Sequence, residues 1–356
     1  MKIGIDATAL VHPHPTGVEV VTRDLLRSLL AQDYDNHYFL YTPAPLPEVW
    51  LKFPQVTNRV LPPRFFWVLT RLSPALVQDH LDLFWSPSNL LPFHLPNKVL
   101  ATIHDLAAFY FPRAYSLRSR LLSWLTTRRA IQFATKVLVV SQQTKTDLVT
   151  KFKLAPERVA VIPNALPQLP TADLSTPAQF STYLLMVGRV EARKNPLTAI
   201  KAFALIAQQY PKLQLVFAGG FGFQSDDIKQ LVEEVGLSHR IHFLGFVDAN
   251  ILANLYIHAT AVLFPSLYEG FGLPVLEAFH YGIPVIASTA PAVAEVAGDG
   301  AILVDPTDAI GLSQAIVKLL EEPELRAHLI EQGTHRLQEY SWQQSAEKLL
   351  IIIKSL

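Results

Sequence analysis

Short apolar runs alternate with amphipathic helical stretches along almost the whole chain. Before a single break the runs cover residues 2–8, 37–41, 82–86, 98–103, 136–140 and 158–162; after it they cover 183–187, 213–218, 240–243, 261–264, 283–287 and 301–304. Strands buried on both faces and separated by helices specify parallel sheets covered by helices on each side. The break, residues 166–180, holds Pro167, Pro170 and Pro177 among small and polar residues and reads as a linker. The expected fold is therefore α/β, with two doubly wound, Rossmann-like domains at residues 1–165 and 181–340. A closing helix over 341–356 begins near Trp342. In such folds ligands sit at the carboxyl ends of the strands, here in an interdomain cleft.

Composition agrees with a globular protein of about two domains. Of 356 residues, 50% are hydrophobic and 17% charged, with no apolar run long enough to span a bilayer. The N-terminus reads as a strand, without a secretory core and cleavage site. The absence of cysteine excludes disulfides and thiol catalysis and fits a cytoplasmic location. Charge is unevenly spread. Residues 1–165 hold 18 Lys/Arg and 11 Asp/Glu, a net of +7, and the remainder carries −7. An anionic partner is expected at the first half.

Residues 265–288 concentrate the chemistry. A strand ends at Phe264, a polar turn carries Glu269, Gly270, Phe271 and Gly272, and a helix opens near Leu273 and Pro274. Glu277 falls about one turn inside that helix. The glycines let backbone approach a ligand, and the helix N-terminus attracts an anion. Two carboxylates for hydroxyls beside a phosphate-binding helix end suit a sugar nucleotide. Taken alone, the pair also fits a solvated Glu269 and a helix-stabilising Glu277.

Other loops follow strands in the same way. Gly188-Arg189-Val190-Glu191-Ala192-Arg193-Lys194-Asn195-Pro196 leads into a helix, with Asn195 as a capping residue. Arg193 and Lys194 thus crowd a positive helix end and call for an anion; exposed basic side chains are the alternative. His104-Asp105 closes a buried strand and either faces the ligand or caps local backbone. Thr16-Gly17-Val18, Pro163-Asn164-Ala165 and Ala218-Gly219-Gly220 are further loops at element ends. Asp33-Tyr34-Asp35 has the form of a metal-binding D-x-D, yet it follows a helix and reads as a solvated turn.

Residues 265–288 closely resemble the E-x7-E signature of the family 4 retaining glycosyltransferases, whose fold is GT-B. The resemblance implies that Glu269 contacts the donor sugar, Glu277 holds the nucleotide ribose, and the turn of Gly270, Phe271, Gly272 and Leu273 positions the sugar. Arg189 and Lys194 match the family's G-R-x(n)-K-N segment, which binds the donor diphosphate. His104 matches the histidine of Ile-His-Asp-Leu near the reaction centre, so His104 and Glu269 are the catalytic candidates. Gly17 and Gly219 correspond to loops near the donor, and Asp105 and Asn164 are candidate acceptor contacts. Departures occur beside Gly17, where Glu19 and Val20 replace a second glycine or arginine, and at Ala165 and Pro167.

The implied activity is a metal-independent, retaining transfer of a hexose from a nucleotide diphosphate sugar to a hydroxyl of a glycan, lipid-linked or small-molecule acceptor. Mannose from GDP-mannose stands ahead of UDP-hexoses, as in polysaccharide biosynthesis. No cofactor, metal or nucleic acid is expected. A GT-B sugar-nucleotide epimerase and a non-catalytic sugar-nucleotide-binding protein are the rival readings. Two stretches mix aromatic, aliphatic and basic residues: residues 63–71, and residues 113–129 with five arginines and no acids. They fit either peripheral contact with an anionic membrane or a core with arginines facing water.

Overall fold

The computed structural model describes residues 1–12, 16–62, 66–171, 180–222 and 226–356. The chain divides into two compact units. One comprises Met1–Leu106, Leu117–Pro167 and Tyr340–Leu356; the other comprises Ala107–Ser116 and Gln168–Glu339. The chain changes units at 167/168, within the expected linker, of which residues 172–179 lie outside the described residues. Ala107–Ser116, expected in the first domain, goes with the second unit, where Tyr110 stacks on Tyr268 with ring centroids 4.9 Å apart.

The first unit holds a seven-stranded parallel sheet. Its strands are β1 (Lys2–Asp6), β2 (His37–Thr42), β3 (Val56–Val60), β4 (Leu83–Ser86), β5 (Lys98–Ile103), β6 (Lys136–Val139) and β7 (Val159–Val161), in the order β3-β2-β1-β4-β5-β6-β7. β3 is the one strand here that the apolar pattern does not announce. It is an edge strand whose residues Thr57, Asn58 and Arg59 are polar and only half-buried.

Helix Gly17–Gln32 and the closing helix Trp342–Ser355 cover this sheet together. Leu26, Leu29 and Leu30 of the first meet Ala346, Leu349 and Ile353 of the second in a core with Ile3, Ile5 and Leu40. The spacing of the last three is that of one helix face. Ser341 caps the closing helix by accepting from the Gln344 amide at 3.1 Å. Trp342 Nε1 donates to the Leu166 carbonyl at 2.8 Å, and Ser345 to that of Pro163 at 2.7 Å.

The second unit holds a six-stranded parallel sheet: β8 (Tyr183–Val187), β9 (Gln214–Ala218), β10 (Ile241–Phe243), β11 (Ala261–Phe264), β12 (Val285–Ser288) and β13 (Ala301–Val304), ordered β10-β9-β8-β11-β12-β13. Both sheets reverse strand order once, between β1 and β4 and between β8 and β11. At such a reversal the connections leave toward opposite faces, which opens a crevice at the strand ends.

One expectation fails locally. Asp33 is buried rather than solvated; its Oδ2 accepts from Asn36 Nδ2 at 2.7 Å and from the Tyr38 hydroxyl. It ends the first helix and joins it to β2, while Asp35 pairs with Lys354 at 3.2 Å. Among the described residues no helix is long and apolar enough to cross a membrane.

The closing helix gives a graded test. Leu349→Ala removes a fully buried side chain and is expected to lower unfolding stability by about 2–4 kcal/mol. Ile351→Ala, 68% exposed on the same helix, should change it by no more than about 0.5 kcal/mol. Chemical denaturation of the two variants measures the difference.

Candidate active site

The crevice between β8 and β11 gathers most of the expected donor residues. The loop after β8 begins at Gly188, whose φ of 114° requires glycine, and Arg189 beside it is exposed. Gly219, at the end of β9, has φ of 153°; a Cβ there would lie 2.1 Å from the Gly188 carbonyl oxygen. Gly219 is thus required by backbone packing at the crevice wall.

Asn195 departs from the expected capping role. It precedes helix Pro196–Ile206 in a left-handed conformation, φ 60°, and its side chain makes no capping bond to the helix amides. Instead its Nδ2 donates to the carbonyls of Pro265 at 3.1 Å and Pro306 at 2.5 Å. The Leu267 amide donates to the Arg193 carbonyl at 2.8 Å. Together these bonds fasten the loop after β8 to the loops after β11 and β13.

The cations at this turn meet protein carboxylates. Lys194 Nζ lies 2.6 Å from Glu269 Oε1, and Arg193 Nη1 lies 2.5 Å from Glu269 Oε2. Arg193 also donates to Glu191 Oε1 through Nε at 3.1 Å and Nη2 at 2.9 Å. The anion that two cations at a helix start require is therefore Glu191 with Glu269. Burial would raise the Glu269 carboxyl, but Lys194 and Arg193 outweigh it and hold the group below its usual 4.5. Burial, assisted by Arg193, pulls the Lys194 ammonium down despite Glu269. Lys194 also stands 4.7 Å from the centre of the Phe264 ring.

Helix Leu273–His280 follows from Gly272, whose φ of 144° no other residue adopts readily. Gly270 and Phe271 are buried in the turn before it. Glu277 accepts a hydrogen bond from the Tyr256 hydroxyl at 2.6 Å, and Tyr256 stacks on Tyr281 at 5.4 Å. Burial raises the Glu277 carboxyl against the lowering effects of Tyr256 and Lys194. The two glutamates thus lie in opposite electrostatic settings. The sequence assigns no role to Arg193 or to Tyr256; the available signal for Tyr256 is a buried tyrosine in a helix whose other residues are aliphatic or asparagine.

The remaining candidates lie in the first unit. His104 directly follows β5, and its Nε2 stands 2.9 Å from the Pro87 carbonyl. A carbonyl only accepts, so Nε2 carries the hydrogen and the neutral ring presents Nδ1 as acceptor. Burial lowers the imidazole pKa, against Pro87, Asp105 and Glu19. Asn164 lines the same small recess as His104, whereas Asp105 is exposed. Gly17 is the first residue of its helix, and Glu19 accepts from the Thr16 amide at 2.8 Å. The unexpected acid after Gly17 therefore supports the helix start.

Comparison with known proteins decides the family. Residues 177–336 match the glycosyl transferases group 1 model, and residues 15–167 match that of glycosyltransferase family 4. The chain belongs to this family. The O-antigen chain mannosyltransferase B of Escherichia coli is 27% identical over 293 residues, 79% of this chain and 76% of that protein. Of several other curated relatives the match spans only about half the length. Sucrose-phosphate synthase from Thermosynechococcus elongatus superposes with a TM-score of 0.76 at 23% identity, covering 100% of this chain and 98% of its own. HepE of Anabaena, solved in complex with UDP-glucose, gives 0.73 at 19% identity over 100% of both chains. The fold of this glycosyltransferase is the GT-B fold expected from its sequence.

A group held below its ordinary pKa stabilises the fold above that ordinary value, and the gain is lost as pH falls through the lowered one. Arg193→Met removes one of the two cations acting on Glu269. The acid loss of stability is expected to move to higher pH than in the parent, read from melting temperatures between about pH 3 and pH 6.

Proposed function

We propose that the protein is a retaining hexosyltransferase that binds a nucleotide diphosphate sugar at the β8/β11 crevice, GDP-mannose ahead of UDP-hexoses. One observation carries this reading: the buried cluster of Glu269, Lys194 and Arg193 beside the helix that bears Glu277. Glu269, kept ionised by two cations, accepts hydrogen bonds from sugar hydroxyls. Glu277, less acidic and backed by Tyr256, receives the ribose hydroxyls. Arg189, exposed at the rim, and Lys194, with ammonium hydrogens beyond its Glu269 contact, neutralise the departing diphosphate. Cations in these positions supply the stabilisation that a metal provides in other transferases, so the reaction runs without one. His104, with Nδ1 as an acceptor, meets a sugar hydroxyl. Retention follows from front-face attack by the acceptor, whose proton passes to the leaving phosphate. The mannosyltransferase relative supports the choice of mannose.

Thermal-shift measurements with GDP-, UDP-, ADP- and dTDP-sugars, each with and without EDTA, test the donor. One nucleotide is expected to raise the melting temperature, equally with EDTA and not in Glu277→Ala. A shift abolished by EDTA would refute metal independence, and no shift with any donor would count against the crevice. Turnover only with an acceptor separates a transferase from an epimerase, and no turnover at all points to a binding protein.

We also propose contact with an anionic membrane through helix Leu117–Phe133. Leu117, Leu121 and Leu125, expected either in a core or at a membrane, are 78%, 58% and 50% exposed. They lie four residues apart along one face, with Arg118, Arg120 and Arg128 exposed beside them. Apolar and basic groups on a water-facing helix suit a lipid interface. Residues 63–65 of the other basic-aromatic stretch lie outside the described residues. The protein is expected to sediment with phosphatidylglycerol vesicles at low salt, and a triple Glu substitution at the three arginines to stay in solution. Parent protein remaining in the supernatant would remove the proposal.

A further inference from the structure

Tyr256 is 1% exposed near the end of helix Ala249–Ile257. A phenol this deep must set its hydroxyl on a polar partner. The main chain that carries it is fixed first. Asp248 caps the helix by accepting from the Asn250 and Ile251 amides, each at 2.9 Å. Near the other end, the Tyr183 hydroxyl on β8 donates to the Leu255 carbonyl at 2.7 Å. With both ends of the helix tied down, the Tyr256 ring reaches helix Leu273–His280, and its hydroxyl donates to Glu277 Oε2 at 2.6 Å.

The ring is also held on its face. Tyr281 comes one helical turn after Glu277 and so on the same side. It lies against Tyr256 with planes 19° from parallel. Tyr281 in turn meets His280 edge-on, with centroids 4.9 Å apart, and its hydroxyl donates to the Pro170 carbonyl at 3.0 Å. Pro170 belongs to the linker expected from the sequence. An unbroken series of contacts therefore runs from the linker main chain, through two tyrosine rings, to one oxygen of Glu277. The sequence assigns neither tyrosine a role.

We propose that Tyr256 and Tyr281 are positioning residues for donor binding: Tyr256 holds Glu277 in one orientation for the ribose, and Tyr281, anchored on the linker, keeps the Tyr256 ring in place. The inference rests on the donor reading above and deepens it. A free glutamate side chain is ordered only when its ligand arrives, which costs affinity, whereas one already bonded is ordered beforehand. The titratable groups acting on or acted on by Glu277 are Tyr256, Tyr281 and Lys194. Burial and the Glu277 charge raise the Tyr256 phenol well above its usual 10, so its hydroxyl stays a donor. Its bond lowers the Glu277 carboxyl, which burial raises. Without that hydroxyl the carboxyl takes its proton at higher pH.

Calorimetric titration with GDP-mannose and UDP-glucose, from about pH 5 to about pH 8, tests this. Tyr256→Phe keeps the ring and loses the bond to Glu277. Donor affinity is expected to fall about tenfold or more, and its loss on the acid side to begin at higher pH than in the parent. Tyr281→Phe keeps the stack and loses only the Pro170 bond, so affinity should fall severalfold with the acid side unmoved. Tyr210→Phe removes a tyrosine–glutamate bond of 2.7 Å at the surface, to Glu321, and should change neither. The Glu277 carboxyl, followed by NMR without nucleotide and assigned with Glu277→Gln, should titrate at higher pH in Tyr256→Phe. Equal titration in the parent and Tyr256→Phe, or donor affinity and acid side unchanged in both site variants, would overturn the proposal. A carboxyl that moves while no nucleotide sugar binds even the parent would refute the donor reading alone.

Discussion

Charge balance inside the β8/β11 crevice governs the second unit's site. Two adjacent cations at the start of a helix are unfavourable in low dielectric, and removing either carboxylate would leave a buried charge uncompensated. Glu191 and Glu269 answer Arg193 and Lys194 in a compact quartet. That arrangement requires the loops after β8 and β11 to touch; the left-handed Asn195 holds them together through the Pro265 carbonyl and ties in the loop after β13 through that of Pro306. Position of the donor loop, ionisation of Glu269 and entry into the Pro196–Ile206 helix thus share one cause. The exposed Arg189 stands outside the quartet, with no ion pair among the described residues.

Much of this was legible in the sequence. Buried parallel strands announce themselves as unbroken apolar runs, and ten of the thirteen strands among the described residues match a run to within one residue at each end. β3 escaped because an edge strand half in water needs no apolar run. Glu269, Glu277, Arg189 and Lys194 were found through their motifs. What the motifs do not encode is who pairs with whom across 76 residues of chain, as Arg193 and Glu269 do. Asn195 was misjudged because its residue type suits both a cap and a left-handed turn. Asp33 was misjudged because a buried tyrosine five residues away, invisible to local pattern, claims it.

The two sheets place different chemistry at the same topological feature. In the second unit the reversal of strand order is filled with paired charges and glycine-walled backbone. In the first it borders a chamber walled by Val18, Trp67, Leu69 and Leu90.

The contact between Gly188 and Gly219 has a mechanical side. Most neighbouring loops meet through side chains, which bend and absorb small displacements. Here main chain rests on main chain, with no methyl group between. Such a junction behaves as a rigid bearing: tilting the loop that carries Arg189 pushes directly on the one after β9. A displacement of that loop's backbone thus meets the loop of the neighbouring strand directly, without a relay of side chains.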